Sequence, residues 1–273
     1  LYFISNLLFV VFFYLLPYRK KVVMTNLRNS FPEKSKRERK AIAKDFYKHF
    51  CDLIVEALKV PGLSEKEARE RISVENPEIL EKFYAKNKSV IAIAGHFNNW
   101  ELAAAVIPLY LKHRGQGLFS PLRNRVFNDY MVKSRSKFGI ELIPKREVTQ
   151  RLESGKDNPP SVTFFLSDQV PKNPRRAYWT KFLHQDTGVP FGAGIYAVRY
   201  DCPVIYGKIN KVSRGHYRIR FEIIESNPTQ SSAEDILEKF TRKLEAQILK
   251  EPAHWLWTHK RWKRKKPLDM HAR

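Results

Sequence analysis

Cysteine is scarce in this chain. It has two, Cys51 and Cys202, with no C-x-x-C spacing. That argues against a structural metal site or a disulfide framework and fits a reducing compartment, while pairing of the two with each other stays open. Acidic residues are also few: 28 Asp+Glu against 50 Lys+Arg, a formal net charge of +22. Such an imbalance implies an anionic partner, whether nucleic acid, an anionic membrane surface, or an acidic protein or ligand. No Walker A loop, G-x-G-x-x-G, G-x-S-x-G or H-E-x-x-H is present. The signatures of P-loop, dinucleotide-binding, serine-hydrolase and zinc-protease chemistry are therefore missing. No internal repeat or low-complexity linker is visible.

What is present begins with an ordinary apolar content of 43% over 273 residues, enough for a substantial core in one domain, with or without an appendage. The chain is organised around Ser89–Lys112, SVIAIAGHFNNWELAAAVIPLYLK. Val90 to Ala94 reads as a strand buried on both faces. Gly95 lets the backbone turn, Asn98 or Asn99 can cap the next helix, and Glu101 sits in its first turn, where the dipole favours an anion. His96 then lies at the carboxyl end of a strand, the edge where open α/β sheets bind ligands. His96 and Glu101 form an H-x4-E pair. A histidine can take a proton from a hydroxyl near neutral pH. A carboxylate behind it can fix the tautomer and stabilise the imidazolium, as in triad logic. The same spacing also suits a polar strand-to-helix cap with no chemistry. No second histidine lies close in sequence, so a zinc site at His96 is not expected and no metal is assigned.

Residues 1–16, LYFISNLLFVVFFYLL, are almost wholly apolar. Sixteen helical residues span about 24 Å, short of the roughly 30 Å hydrocarbon core. The chain opens on Leu rather than Met, so some sequence is expected to precede it and the segment could be longer. Tyr18 and the basic Arg19, Lys20 and Lys21 suit a membrane anchor with the body on the cytoplasmic side. A buried N-terminal helix is the alternative. Helices are expected at 22–31 and 35–60, with a capping-box helix near Ser64 and Glu67. From Ile72 onward strands and helices alternate. Strands are expected at 72–75, 90–94, 117–120, 140–143, 162–166, 204–208 and 217–224. Helices are expected at 77–85, 102–111, 125–138, 146–154, 192–200 and 232–249, with a basic loop at 171–176 and a turn at 188–192. The alternation predicts one α/β domain fronted by helices. Arg123 and Asn124 follow one strand and Asp168 and Gln169 another, so all four can reach the edge that carries His96. An exposed loop arginine and an Asx-turn aspartate are the plainer readings. The closing run Trp255–Lys266 interleaves aromatic and basic residues. It suits nucleic acid or a membrane interface, or a packed segment with a solvated tail.

GHFNNWE resembles the H-x4-D/E segment of the lysophospholipid acyltransferase superfamily, and more closely its bacterial lipid A (lauroyl/myristoyl) acyltransferase branch. Four further stretches agree in order: Asn26-Leu27-Arg28 with Phe31-Pro32, Pro121-Leu122-Arg123-Asn124, Asp168-Gln169, and Pro252 to Lys263. The likeness runs through about residues 20–263. Phe97-Asn98 and Ala253-His254 depart from the enterobacterial pattern, which bears on acceptor and chain length. The resemblance implies a single α/β domain with a mixed, largely parallel central sheet flanked by helices, preceded by a membrane-anchoring helix and helical hairpin. It divides the chain into an anchor (1–18), a helical region (19–71), an acyltransferase domain (72–263) and a basic tail (264–273). It implies acyl transfer from an acyl carrier protein or coenzyme A thioester to a hydroxyl of a lipid, most closely a lipid A precursor. His96 would be the base and Glu101 its orienting carboxylate. Asn99, Arg123, Asn124, Asp168 and Gln169 would bind substrate. Arg175, Arg176, Trp255, Trp257, Lys260 and Arg261 would serve donor docking or membrane contact. No cofactor and no nucleic acid are expected, and the location implied is the cytoplasmic face of the inner membrane, single-pass or monotopic. A different lipid acceptor is the nearest alternative. A non-enzymatic basic protein of membranes or nucleic acid is the rival from another class.

Overall fold

Strand β2 (Val90–Ala94) is apolar throughout because neither face meets solvent. Ile91 and Ile93 enter one core, and Val90 and Ala92 enter a second on the other face, as a period of two requires. The computed structural model describes residues 1–153 and 159–267. In it β2 sits at the centre of a seven-stranded sheet with β1 (Ile72–Val74), β3 (Arg114–Phe119), β4 (Glu141–Pro144), β5 (Ser161–Leu166), β8 (Val204–Ser213) and β9 (His216–Glu225). The order is β1-β9-β8-β2-β5-β3-β4. Every neighbouring pair is parallel except the β8–β9 hairpin. The α/β class with a mixed, largely parallel sheet is therefore as expected. Helices α4 (Glu65–Arg71), α5 (Glu78–Ala85) and α6 (Trp100–Val106) pack on one face, and α9 (Gly192–Arg199) and α10 (Ala233–Lys250) on the other. Helices α7 (Arg125–Arg135) and α8 (Val148–Glu153) follow β3 and β4.

The helix expected at 102–111 ends at Val106 and passes into a 3-10 turn at Ile107–Tyr110, and two further features depart from the expected pattern. A separate hairpin, β6 (Ala177–Phe182) with β7 (Gln185–Pro190), takes in part of the expected turn at 188–192. Its register sets Trp179 opposite Gly188, where a Cβ would lie 3.1 Å from the indole, so the glycine makes room for the ring. Strands β8 and β9 also run longer than expected, because Gly215, at φ +81°, closes a tight turn between them.

The N-terminal helix α1 (Tyr2–Val10) continues into a π turn at Val11–Leu15, followed by α2 (Lys20–Ser30) and α3 (Lys36–Lys59). A reciprocal Ser35–Glu38 capping box starts α3. Helix α1 runs antiparallel to α3. Tyr2 donates to Glu56 (3.0 Å), Ser5 donates to Asp52 (2.6 Å), and the Phe13 ring meets Tyr47 at 5.5 Å. Its other side leaves Phe3, Ile4, Leu7, Leu15 and Leu16 exposed. Among the described residues no helix is long and apolar enough to cross a membrane, so the structure lends no support to a single-pass anchor. Ser154 of the expected helix at 146–154 and residues 268–273 of the expected tail lie outside the described residues.

Candidate active site

Strands β2, β5, β3 and β4 point their carboxyl ends the same way, and the loops that follow carry the candidate side chains. Register decides which of them meet. Ala94 of β2 pairs with Leu166 of β5, so two residues further on His96 comes opposite Asp168. His96 Nδ1 lies 2.6 Å from Asp168 Oδ1, and the His96 backbone N–H donates to Oδ2 at 2.8 Å. Trp255 Nε1 donates to the same Oδ2 at 2.8 Å. Asp168 is almost fully buried. Burial alone pushes its pKa up, but the charge and hydrogen bonds of His96 and the Trp255 N–H outweigh that and hold it down to about 2. A carboxylate only accepts, so the imidazole proton sits on Nδ1 and Nε2 is left as the basic atom. Gln169 brings its amide nitrogen to 3.1 Å from that Nε2, and the Trp100 ring stands edge-on to the imidazole at 5.2 Å. Gly95 is needed here, since a Cβ would lie 2.7 Å from Leu244 and 3.3 Å from Asp168.

His96 opens on a cavity of about 460 Å³. It runs under α6 and draws its walls from strands on both sides of β2, with Ala103, Ile107, Gly117, Phe164, Ile209 and Phe221 among the lining residues. Its size suits a small-molecule site, and its walls suit a hydrocarbon chain.

The ordered resemblance seen in the sequence is matched by a family model. The model for bacterial lipid A biosynthesis acyltransferases covers residues 1–264. The chain belongs to that family. It is an acyltransferase, and the family implies an acyl donor and a lipid acceptor. A search of curated proteins finds no match to it.

Within this acyltransferase, Glu101 occupies a different place from the one expected. Among the described residues no hydrogen bond or ion pair joins it to His96. Arg135 of α7 grips it as a fork at 2.6 and 2.7 Å, and Trp100 Nε1 donates to it at 3.1 Å. Five residues span the strand end, the cap and the first turn of α6, which carries Glu101 toward α7, while Asp168 fills the position behind the imidazole. Asn99 is buried and structural. Its Oδ1 caps α6 by accepting from Leu102 N (2.9 Å), and its Nδ2 donates to Glu56 (2.7 Å). Asn124 caps α7 through Phe127 N at 3.0 Å, and Arg123 stands exposed beside it. Gln169 lines the cavity, whereas Asp168 lies behind the histidine.

The closing run needs a larger correction. Trp255, Trp257 and Arg261 are buried and belong to no docking or membrane surface. Phe97 bridges Trp255 as a short antiparallel pair, and Leu256 N–H donates to His96 O at 3.1 Å, so this run buttresses the loop that carries His96. Trp257 packs on Phe31, and Arg261 donates to Gly188 O at 2.7 Å. Lys260 is exposed, as are Arg175 and Arg176 in the turn before β6. The sequence reading misses Arg135 altogether and gives Trp255 to a docking or membrane surface rather than to the site. Nothing in their local sequence marks them, because both reach the site from distant segments.

Proposed function

We propose that this enzyme is a membrane-associated O-acyltransferase that moves a fatty acyl chain from an acyl thioester to a lipid hydroxyl. The donor is acyl carrier protein or coenzyme A, and the acceptor is a lipid A precursor. The observation that carries the reading is the 2.6 Å His96–Asp168 contact at the mouth of an apolar cavity. His96 Nε2 takes the proton from the acceptor hydroxyl, and the oxygen attacks the thioester carbonyl carbon. Asp168 holds the Nδ1–H and stabilises the imidazolium. As the tetrahedral centre collapses, the carbon–sulfur bond breaks, and the imidazolium returns its proton to the leaving thiolate. The Gln169 amide, 3.1 Å from His96 Nε2, gives up that contact when the acceptor hydroxyl takes its place and can then donate to an oxygen of the reacting centre. The acyl chain lies in the cavity. The exposed apolar side of α1 with Arg19 and Lys21 beside it supports lipid contact, and the exposed Arg175 and Arg176 supply cationic surface for an acidic carrier protein.

The test is acyl transfer from acyl carrier protein and coenzyme A donors to a lipid A precursor, with product mass measured. His96→Ala should cut turnover by about 10²- to 10⁴-fold with the fold intact. Asp168→Asn should be nearly as damaging, and the double variant little worse than His96→Ala, because a unit's losses do not add. Multiplicative losses would show that the two side chains do not act together.

A further inference from the structure

The segment between β3 and α7 has no role in the chemistry above, yet it borders the cavity. Every residue from Pro121 to Phe127 is exposed. Its three apolar members are Leu122, Val126 at 81% exposure and Phe127 at 52%. Arg123 and Arg125 stand between them, and neither side chain makes an ion pair or hydrogen bond among the described residues. A projecting tip of apolar side chains flanked by arginine costs free energy in water and suits the boundary between anionic headgroups and acyl chains.

Two further observations bear on what covers this tip. Ser120, Leu122, Asn128 and Met131 line the same cavity as His96, so the segment forms its lip. The lip is also tied to the region beneath α1. Tyr130 Oη donates to Leu58 O (3.0 Å) near the end of α3, two residues from Glu56, which accepts from Tyr2 of α1. Leu58 is itself 59% exposed and adds a further apolar side chain at this end of α3.

We infer that the lip Pro121–Phe127 enters the surface of an anionic bilayer, so that the acyl cavity opens directly into lipid rather than water. The inference rests on the acyltransferase reading only for what passes through that opening. Helix α1 then holds the protein on the membrane, and the lip sets the orientation in which the acceptor reaches His96.

The test uses the full chain. Both native cysteines are buried, so Val126→Cys gives a single reactive thiol for a polarity-sensitive fluorophore. Vesicles of phosphatidylcholine with phosphatidylglycerol should shift its emission to the blue, and brominated acyl chains should quench it. A label at Glu234, on the first turn of α10, should not respond. Separately, Val126→Ser with Phe127→Ser should lower acyl transfer to acceptor embedded in these vesicles by about tenfold. Transfer to a water-soluble short-chain alcohol should be unchanged. A label that stays water-exposed on vesicle-bound protein would overturn the inference. So would equal loss toward both acceptors. The label reports insertion whether or not an acyl group moves, so a failure of the proposed chemistry leaves this result standing.

Discussion

Glu101 and Arg135 meet as a fork, and both are only partly exposed, at 20% and 28% of their side chains. A bidentate pair in that setting is geometrically specific, but solvent screening keeps its net worth near 1 kcal/mol. Its effect is to hold α7 against α6, and α7 is a wall of the cavity. Glu101→Gln should therefore act on donor binding, raising KM roughly fivefold, which is near 1 kcal/mol, while the pH profile of kcat stays put. Arg135→Gln should match it, and the double variant should be little worse than either. Asp168→Asn, by contrast, should change the pH profile itself. If Glu101→Gln removes activity a hundredfold and alters that profile, Glu101 acts on the imidazole and the assignment of Asp168 alone is wrong.

At the scale of elements, the cavity owes its width to glycine as much as to large side chains. A Cβ on Gly207 of β8 would find only the Ala94 Cβ, at 3.8 Å, which leaves open cavity beyond it. Gly207→Leu should fill that space and favour shorter acyl donors, each displaced methylene costing about 0.8 kcal/mol. A panel of donors of increasing length checks this by kcat/KM; a uniform loss across the panel would show that Gly207 does not bound the chain. The β2–α6 unit was legible in the sequence because a short apolar run, a glycine and a capping asparagine are local signals. So were β5 and the long helices α3 and α10, whose apolar residues recur at the right period. The partner of His96 was not legible. It lies 72 residues away and is chosen by the parallel register of β2 on β5, which no local spacing encodes. The Trp255–Arg261 run misled for a related reason. Aromatic and basic residues interleave alike at a membrane interface and in a core where each indole N–H finds an acceptor, as those of Trp255 and Trp257 do.

The whole molecule carries a latent sensitivity to acid. Burial lowers the pKa of His49, His113, His254 and His259, the last to about 4. These residues are neutral in the fold and take up protons more readily when it opens. The unfolded state thus binds more protons, and stability is fully present above about pH 6.5 and is lost as pH falls toward about 4. Urea unfolding at pH 5 should show a lower midpoint than at pH 7.5. His259→Gln should reduce the difference, since protonation there also breaks the bond that its Nε2 accepts from Val170 N–H at 3.2 Å. A midpoint insensitive to pH in this range would mean that these rings are charged in the fold.

The Trp255 bridge to the His96 loop also has a meaning in time. A ribosome adding roughly 5–20 residues per second takes about 8 to 32 s to travel from His96 to Trp255. Throughout that interval the imidazole and Asp168 lack the indole donor and the backbone that fasten them. The apolar first helix has by then long been synthesised. On the proposed reading, a nascent chain reaches its lipid surface while still catalytically incomplete, and only a chain extended past Trp255 can begin to turn over thioesters.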